Sequence, residues 1–366
     1  MERLLADIRE LTSLDGPSSR EDRVIEYMAA RLRRFDGELS IDRLGNVTCR
    51  IGAGRPGAAR LMVFAHMDEI GLIVRKVEAN GFLRVERIGG VHVNVLPGLQ
   101  VNVLGRSGTI GGVIGVKSHH FTKPDEKGVV PSVSDLYVDI GASSREEALR
   151  AGVDVGTMIV YKPAFMQLQG GLVANKAMDN RAACAVLLAL AEALHANRER
   201  LQWDVYLVAC VQEEFNIRGI LPVVRRIRPD ASIGIDVTPS CDTPDLAGYS
   251  DVVIGKGPAL TFMNFHGRGT LAGVLPDERL LERLMGVAER EEIPYQKEIA
   301  LGVITENAYI ALQGDGIPVA GVSIPTRYTH TPVETVSLHD VERLTSLLLA
   351  FALDLNASDR FGKGTA

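Results

Sequence analysis

The chain repeatedly puts imidazoles and carboxylates where an apolar run ends. His66 and Asp68 follow "LMVFA" within "VFAHMDEIGLIV", Val63 to Val74. Glu213 and Glu214 follow "WDVYLVACVQ", Asp236 ends "SIGI", and His330 follows "VAGVSIPTRYT". Asp179 stands just ahead of the strongly apolar helical stretch "NRAACAVLLALAEALHAN". Buried charge is costly unless it is paired or binds a metal. Open α/β sheets bind ligands at the carboxyl ends of their strands, so parallel strands would bring these residues to one edge. Two imidazoles and several carboxylates are the donor types of a divalent-metal site. One shared carboxylate could bridge two ions, as in two-metal hydrolysis. Taken singly, each residue has a plainer reading. A histidine after a strand is commonly a satisfied core or surface residue, a Glu-Glu pair is commonly solvated, and Asp179 alone suits the positive end of a helix. The pattern gains weight because separate segments repeat it, and a metal hydrolase and a purely structural reading both stay open on these grounds.

The elements that must position these residues follow from periodicity. Two amphipathic helices open the chain, the second near Glu21 to Phe35 with Val24, Tyr27, Met28 and Leu32 on one stripe. Strands are expected at "GNVTCRIG" and "RLMVFA". From about Gly71 short strand-like runs ("LIVRKV", "FLRVERI", "QVNVLG", "TIGGVIGV") alternate with turn signals such as Asn80-Gly81, as in a small β-barrel or sandwich. Beyond "VGTMIVYKP" helices and strands alternate to the end, the pattern of an α/β domain with a mostly parallel central sheet flanked by helices. The expected organisation is a catalytic domain from residues 1–69 and 166–366, interrupted by a β-barrel insert at 70–165.

Composition narrows the class. With 366 residues, 46% of them hydrophobic and 23% charged, the chain can bury a substantial core. A net charge of −6 argues against a nucleic-acid or anionic-membrane partner. No stretch approaches the roughly 20 apolar residues of a membrane span. The opening "MERLLADIRELTSL" lacks a signal-peptide layout, so a cytoplasmic protein is expected. Cys49, Cys184, Cys210 and Cys241 are scattered, which suits reduced thiols and not a cysteine zinc site. No GxSxG or Cys-His signature offers a competing nucleophile.

"AHMDEIG", "NKAMDNRAACAVLLAL", "VQEEFNIRGI", "GIDVTPSCDTP" and "IPTRYTHTPVE", in this order, resemble the M42 family of metallo-aminopeptidases, the glutamyl and deblocking group. The resemblance spans nearly the whole chain, including "ERIGGVHVNVLPGLQVNV" and "DLYVDIGASSREEALRAGVDVGTMI" in the insert. It implies a zinc-exopeptidase-like catalytic domain with two divalent ions (zinc or cobalt, with manganese as an option), an inserted barrel for dimerisation and oligomerisation, and often a dodecameric homo-oligomer. It further implies that His66 and Asp236 hold one metal, Glu214 and His330 the other, and Asp179 both. Glu213 becomes the general base for metal-activated water, with Asp68 fixing the His66 imidazole. The implied substrates are short peptides. Two departures stand out. Phe215-Asn216 replaces the family's usual Val-Gly, and Phe215 is expected to narrow the cleft. Glu306-Asn307 replaces Asp-Ala, with an expected effect on specificity. His119-His120 reads as an insert loop. The competing functions are a dinuclear deacylase or amidase acting on N-acyl amino acids, and a non-catalytic assembly protein of the same fold.

Overall fold

The computed structural model describes residues 1–35, 37–267 and 273–364. Its centre is a mixed sheet. Four middle strands run parallel in the order Asp204–Cys210, Arg60–His66, Ala231–Pro239 and Val319–Arg327. Antiparallel strands flank them, Val47–Ile51 on one side and Glu334–Ser337 with Leu172–Asn175 on the other. The parallel character therefore belongs to the centre of the sheet, and these are the strands that lead into the candidate site.

The burial pattern explains why these strands read as unbroken apolar runs. In Arg60–His66, Leu61, Val63 and Ala65 pack into the large cluster that includes the helices Glu2–Ser13, Met178–Ala196 and Leu338–Asp354. Met62 and Phe64 face a second cluster beneath the short helix Leu221–Ile227. A strand covered on both faces gains from apolar side chains at every position. Small residues Ala182, Ala183, Cys184 and Ala185, all buried, let the Met178–Ala196 helix approach the sheet closely. Asp179 and Asn180 lack helical dihedrals, so Asp179 precedes the regular part of that helix.

Between Gly71 and Tyr161 six strands close a barrel around its own apolar cluster, which includes Leu72, Val85, Val101 and Ile159. His119 and His120 lie exposed on a 3-10 turn of a long loop from this barrel. They belong to none of the groups, among the described residues, whose ligand atoms are close enough to share an ion. A buried ionic clamp ties the barrel to the α/β core. The Lys176 ammonium is fully buried and lies 2.9 Å from both Asp15 and Glu69. Asn102 of the barrel donates to both Asp15 oxygens at 3.0 and 3.2 Å. All four cysteines are buried and unpaired. Among the described residues no helix is long and apolar enough to cross a membrane.

Candidate metal centre

The carboxyl ends of the parallel strands bring His66, Asp179, Glu213, Glu214, Asp236 and His330 around one cavity. His66 Nδ1 lies 3.2 Å from the Asp68 main-chain carbonyl. A carbonyl only accepts, so Nδ1 carries a proton and Nε2 is the nitrogen turned to the cluster. That Nε2 lies 3.0 Å from Asp179 Oδ1, 3.8 Å from Glu213 Oε2 and 3.9 Å from Asp236 Oδ1. His330 repeats the arrangement. Its Nδ1–H donates to the Gly90 carbonyl at 2.9 Å, and Nε2 lies 3.4 Å from Asp179 Oδ2 and 3.6 Å from Glu214 Oε1. The two oxygens of Asp179 thus face different imidazoles. Gly90 comes from the insert. A Cβ there would stand 2.5 Å from His330 Nδ1, so only glycine admits this approach. The insert, which the sequence leaves without a part in the chemistry, orients one of the two imidazoles.

The donor set fits divalent cations. Asp179 Oδ1 and Glu214 Oε1 are buried oxygens with no hydrogen-bond partner, an arrangement that is costly unless something else meets them. Ligand atoms of His66, Asp179 and Asp236 lie within 4.8 Å of one another, as do those of Asp179, Glu214 and His330, and those of His66, Glu213 and Glu214. Electrostatics point the same way. Burial pushes Glu214 up to about 8, with the Asp179 charge adding to it. Burial and Asp179 together push Asp236 up to about 7. Glu213 stands well above the usual carboxyl range, again through burial, reinforced by Asp236 and Glu214. Burial alone would lower His330, but Glu214 and Asp179 more than reverse it and raise it to about 11. His66 is likewise held well above its ordinary value, burial being overcome by Asp179 and Asp68. Burial opposes the charge on Asp179, yet His330 and His66 hold it below the usual range. Without a cation the cluster retains protons as its countercharge, and divalent ions would displace them.

Asp68 does more than attend His66. Its carboxylate accepts the backbone N–H of Glu213 at 2.9 Å and of Glu214 at 3.1 Å, and the Ser18 hydroxyl at 2.6 Å. Sequence reasoning missed three supporting residues. Ser18 holds Asp68 from the loop after the first helix. Glu21 accepts the N–H of Gln212 at 3.1 Å. Glu334, buried, accepts the N–H of His330 at 2.6 Å and of Asp179 at 3.0 Å. Glu334 lies within "THTPVE", four residues past His330, and a buried carboxylate so close to a ligand-type histidine was the available signal. Ser18 and Glu21 gave none.

Backbone outliers gather at the same place. Ala177, Gln212, Asn216, Ile217, Tyr328 and His330 all have positive φ between 54° and 72°. Such strain collects where surrounding structure holds functional groups in place. Asn216 has φ +72°, and asparagine tolerates that region better than most residues, which accommodates it where glycine is usual. Phe215 does not narrow the cleft. It is 45% exposed, lies outside the cavity lining, and carries Arg218 over its ring at 5.8 Å. Glu306 is buried and not part of the cavity lining; it accepts the Cys210 thiol at 3.1 Å and lies close enough for its charge to act on His66 and Asp236, while Asn307 donates to the Ala320 carbonyl.

Beside the cluster lies a cavity of 770 Å³, within the range of small-molecule sites. An α/β sheet whose strand ends converge on paired imidazoles and carboxylates, beside a cavity of this size, defines a class: proteins with a metallohydrolase-type centre. Comparison with known proteins narrows it. The M42 glutamyl aminopeptidase family profile matches residues 45–347. SgcX of Escherichia coli (strain K12), a provisionally assigned aminopeptidase, is 50% identical over 92% of this chain and 89% of its own. The lysyl aminopeptidase of Pyrococcus furiosus is 33% identical over 90% of each chain. Among solved structures, an aminopeptidase from the archaeon Desulfurococcus kamchatkensis superposes with a TM-score of 0.90 at 36% identity, covering 97% of this chain and 96% of that one. The dodecameric PhTET1 structure gives 0.84 at 30% identity, covering 96% and 99%. The chain belongs to the M42 glutamyl aminopeptidase family, a family of metal-dependent peptidases, and aminopeptidase is the function its relatives' names support.

Proposed function

We propose that the protein is a dinuclear metallo-aminopeptidase that removes N-terminal residues from short peptides. The observation that carries this reading is the double aspect of Asp179, with one oxygen toward His66 and the other toward His330. His66 and Asp236 would hold one ion, Glu214 and His330 the second, and Asp179 both. Zinc or cobalt suits these nitrogen and carboxylate donors, with manganese an option. Bound there, the ions would supply Lewis-acid polarisation of the scissile carbonyl and acidity to water. Glu213 accepts the proton of the attacking water and passes it to the leaving amine. Its backbone is fixed for this by Asp68. The substrate's free ammonium group enters a cavity rich in carboxylates, which favours an unblocked N-terminus.

Assembly belongs to the same proposal. We infer that residues 70–165 form an oligomerisation domain, most simply within a homo-dodecamer. Val116, Phe121, Val129 and Val130 of its long loop are 63%, 76%, 66% and 48% exposed, an apolar surface that contact with other copies would cover. The Pyrococcus horikoshii TET1 peptidase, 29% identical with a TM-score of 0.83, can assemble into a tetrahedron or a large octahedral shell. The test is hydrolysis of aminoacyl anilides and their N-acetylated counterparts after loading with zinc, cobalt or manganese. Cleavage of the free-amine substrates alone is expected. A requirement for the acyl group would replace the peptidase with a deacylase. Light scattering coupled to size exclusion tests the assembly, and a mass near one chain at every concentration would end that part.

A further inference from the structure

The carboxylates and imidazoles of the metal centre make up only part of the cavity lining. The remaining wall includes Ile217, Val237, Leu301, Val303, Ile304 and Tyr309. We propose that this wall receives the substrate's N-terminal side chain and selects uncharged, apolar residues such as leucine and methionine over lysine and glutamate. The inference rests on the aminopeptidase reading and deepens it.

A charged side chain needs a charged partner where water is displaced. A lysine-selective wall would present a carboxylate beyond the metal cluster, and a glutamate-selective wall an arginine or lysine. Among the described lining residues outside the cluster there is no Asp, Glu, Lys or Arg, and His266 is the only imidazole. Described charged residues of the flanking segments have partners of their own. Arg218 lies over the Phe215 ring, Arg327 makes a two-pronged pair with Asp242 at 2.9 and 2.7 Å, and Lys297 lies over Phe262 at 5.7 Å. Glu298 is buried among Thr238 and Thr261, whose hydroxyls donate to it, and does not reach the lining. Apart from Asn216, His266 and Thr329, what the described lining offers a side chain is mainly aliphatic surface and one aromatic ring. Each methylene gained in such a pocket changes kcat/KM by about tenfold or more.

The experiment uses the full-length, metal-loaded protein with leucyl, methionyl, alanyl, lysyl and glutamyl p-nitroanilides, and N-acetyl-leucyl p-nitroanilide. Leucine and methionine are expected to exceed lysine and glutamate in kcat/KM by at least about tenfold, with alanine between, as contacts to an apolar wall require. Leu301→Asp, at a position 52% exposed, should raise the lysine-to-leucine ratio by about tenfold. Calorimetric titration of the Glu213→Gln variant with leucinamide and lysinamide gives a readout independent of turnover, and leucinamide should bind more tightly. Lysine or glutamate equal to or better than leucine, with the acetylated substrate inert, would overturn the specificity and leave the peptidase standing. Cleavage of the acetylated substrate alone, or of none, would overturn the peptidase reading. The amide titration then decides the apolar wall by itself, and equal binding of the two amides removes it.

Discussion

The two imidazoles of the centre are held in different ways. His66 is 2% exposed, sits at the end of a strand buried from Leu61 onward, and is oriented by a carbonyl two residues along its own chain. His330 is 35% exposed, has a left-handed backbone, and is oriented by a carbonyl 240 positions earlier, in the barrel. The first half of the centre is therefore built locally by the core of the sheet. The second depends on the barrel being docked. The position of the His330 imidazole is thus tied to domain packing, and that of His66 to the sheet itself.

The largest effect is expected where the two halves meet. Glu213→Gln should lower kcat by roughly two to four orders of magnitude, the usual worth of a general base, while elemental analysis shows unchanged metal content. Near-normal turnover at full occupancy would remove Glu213 from that role. Asp179→Ala should deplete both ions and His66→Ala chiefly one, because Asp179 turns one oxygen to each imidazole. Gly90→Ala tests the asymmetry directly. The added Cβ collides with His330, so one equivalent of metal should weaken and activity fall by roughly 10- to 100-fold, the range seen when a ligand's hydrogen-bond partner is disturbed. Equal loss of both ions in Gly90→Ala would refute a barrel-dependent half. Ser18→Ala acts on the His66 side through Asp68. Asp68 keeps its two backbone donors, so the loss in kcat should be no more than about tenfold, with Ser18→Thr restoring it.

The smallest effect is on the metal-free protein's stability against pH. Glu214 at about 8, Asp236 at about 7 and His330 at about 11 all lie above their unfolded values. Groups raised in this way bind more protons folded than unfolded, so their stabilisation is complete below the unfolded pKa and is lost as pH rises through the folded one. The melting temperature of metal-free protein should therefore fall between about pH 5 and about pH 9, and zinc should flatten or reverse the trend as protons give way to the ion. A metal-free melting temperature that climbs across that interval would contradict the protonated cluster.

Much of the His66 half was legible in the sequence, because a strand buried on both faces must be apolar throughout, and a histidine ending it is conspicuous. The barrel's strands were legible from their turns. The wall of the cavity was not. Gln296–Leu301 alternates exposed and buried residues, and Ala259–Phe265 carries Thr261 and Asn264 inside, so neither stands out as a strand until both are paired. Leu221–Ile227 is too short and too proline-marked to give a helical period. Gly90 was invisible for a different reason. Its contribution is a carbonyl and an absent side chain, and one-dimensional patterns weigh side chains.

The Lys176 clamp bears on how freely the barrel can be exchanged. The chain leaves the core just after Glu69 and is back in it by Leu172, and Lys176 neutralises Glu69 from the return side and Asp15 from the core. Asn102 is the barrel's contribution to that junction. A graft that swaps residues 70–165 for a relative's barrel leaves Lys176 and its two carboxylates in place, but inherits whatever the donor carries opposite Asp15 and beneath His330. Portability between relatives is thus set by two small details of the donor, an amide at the Asn102 position and a glycine at the Gly90 position. A barrel lacking the first would leave Asp15 without its amide partner, and one lacking the second would press on the His330 ring.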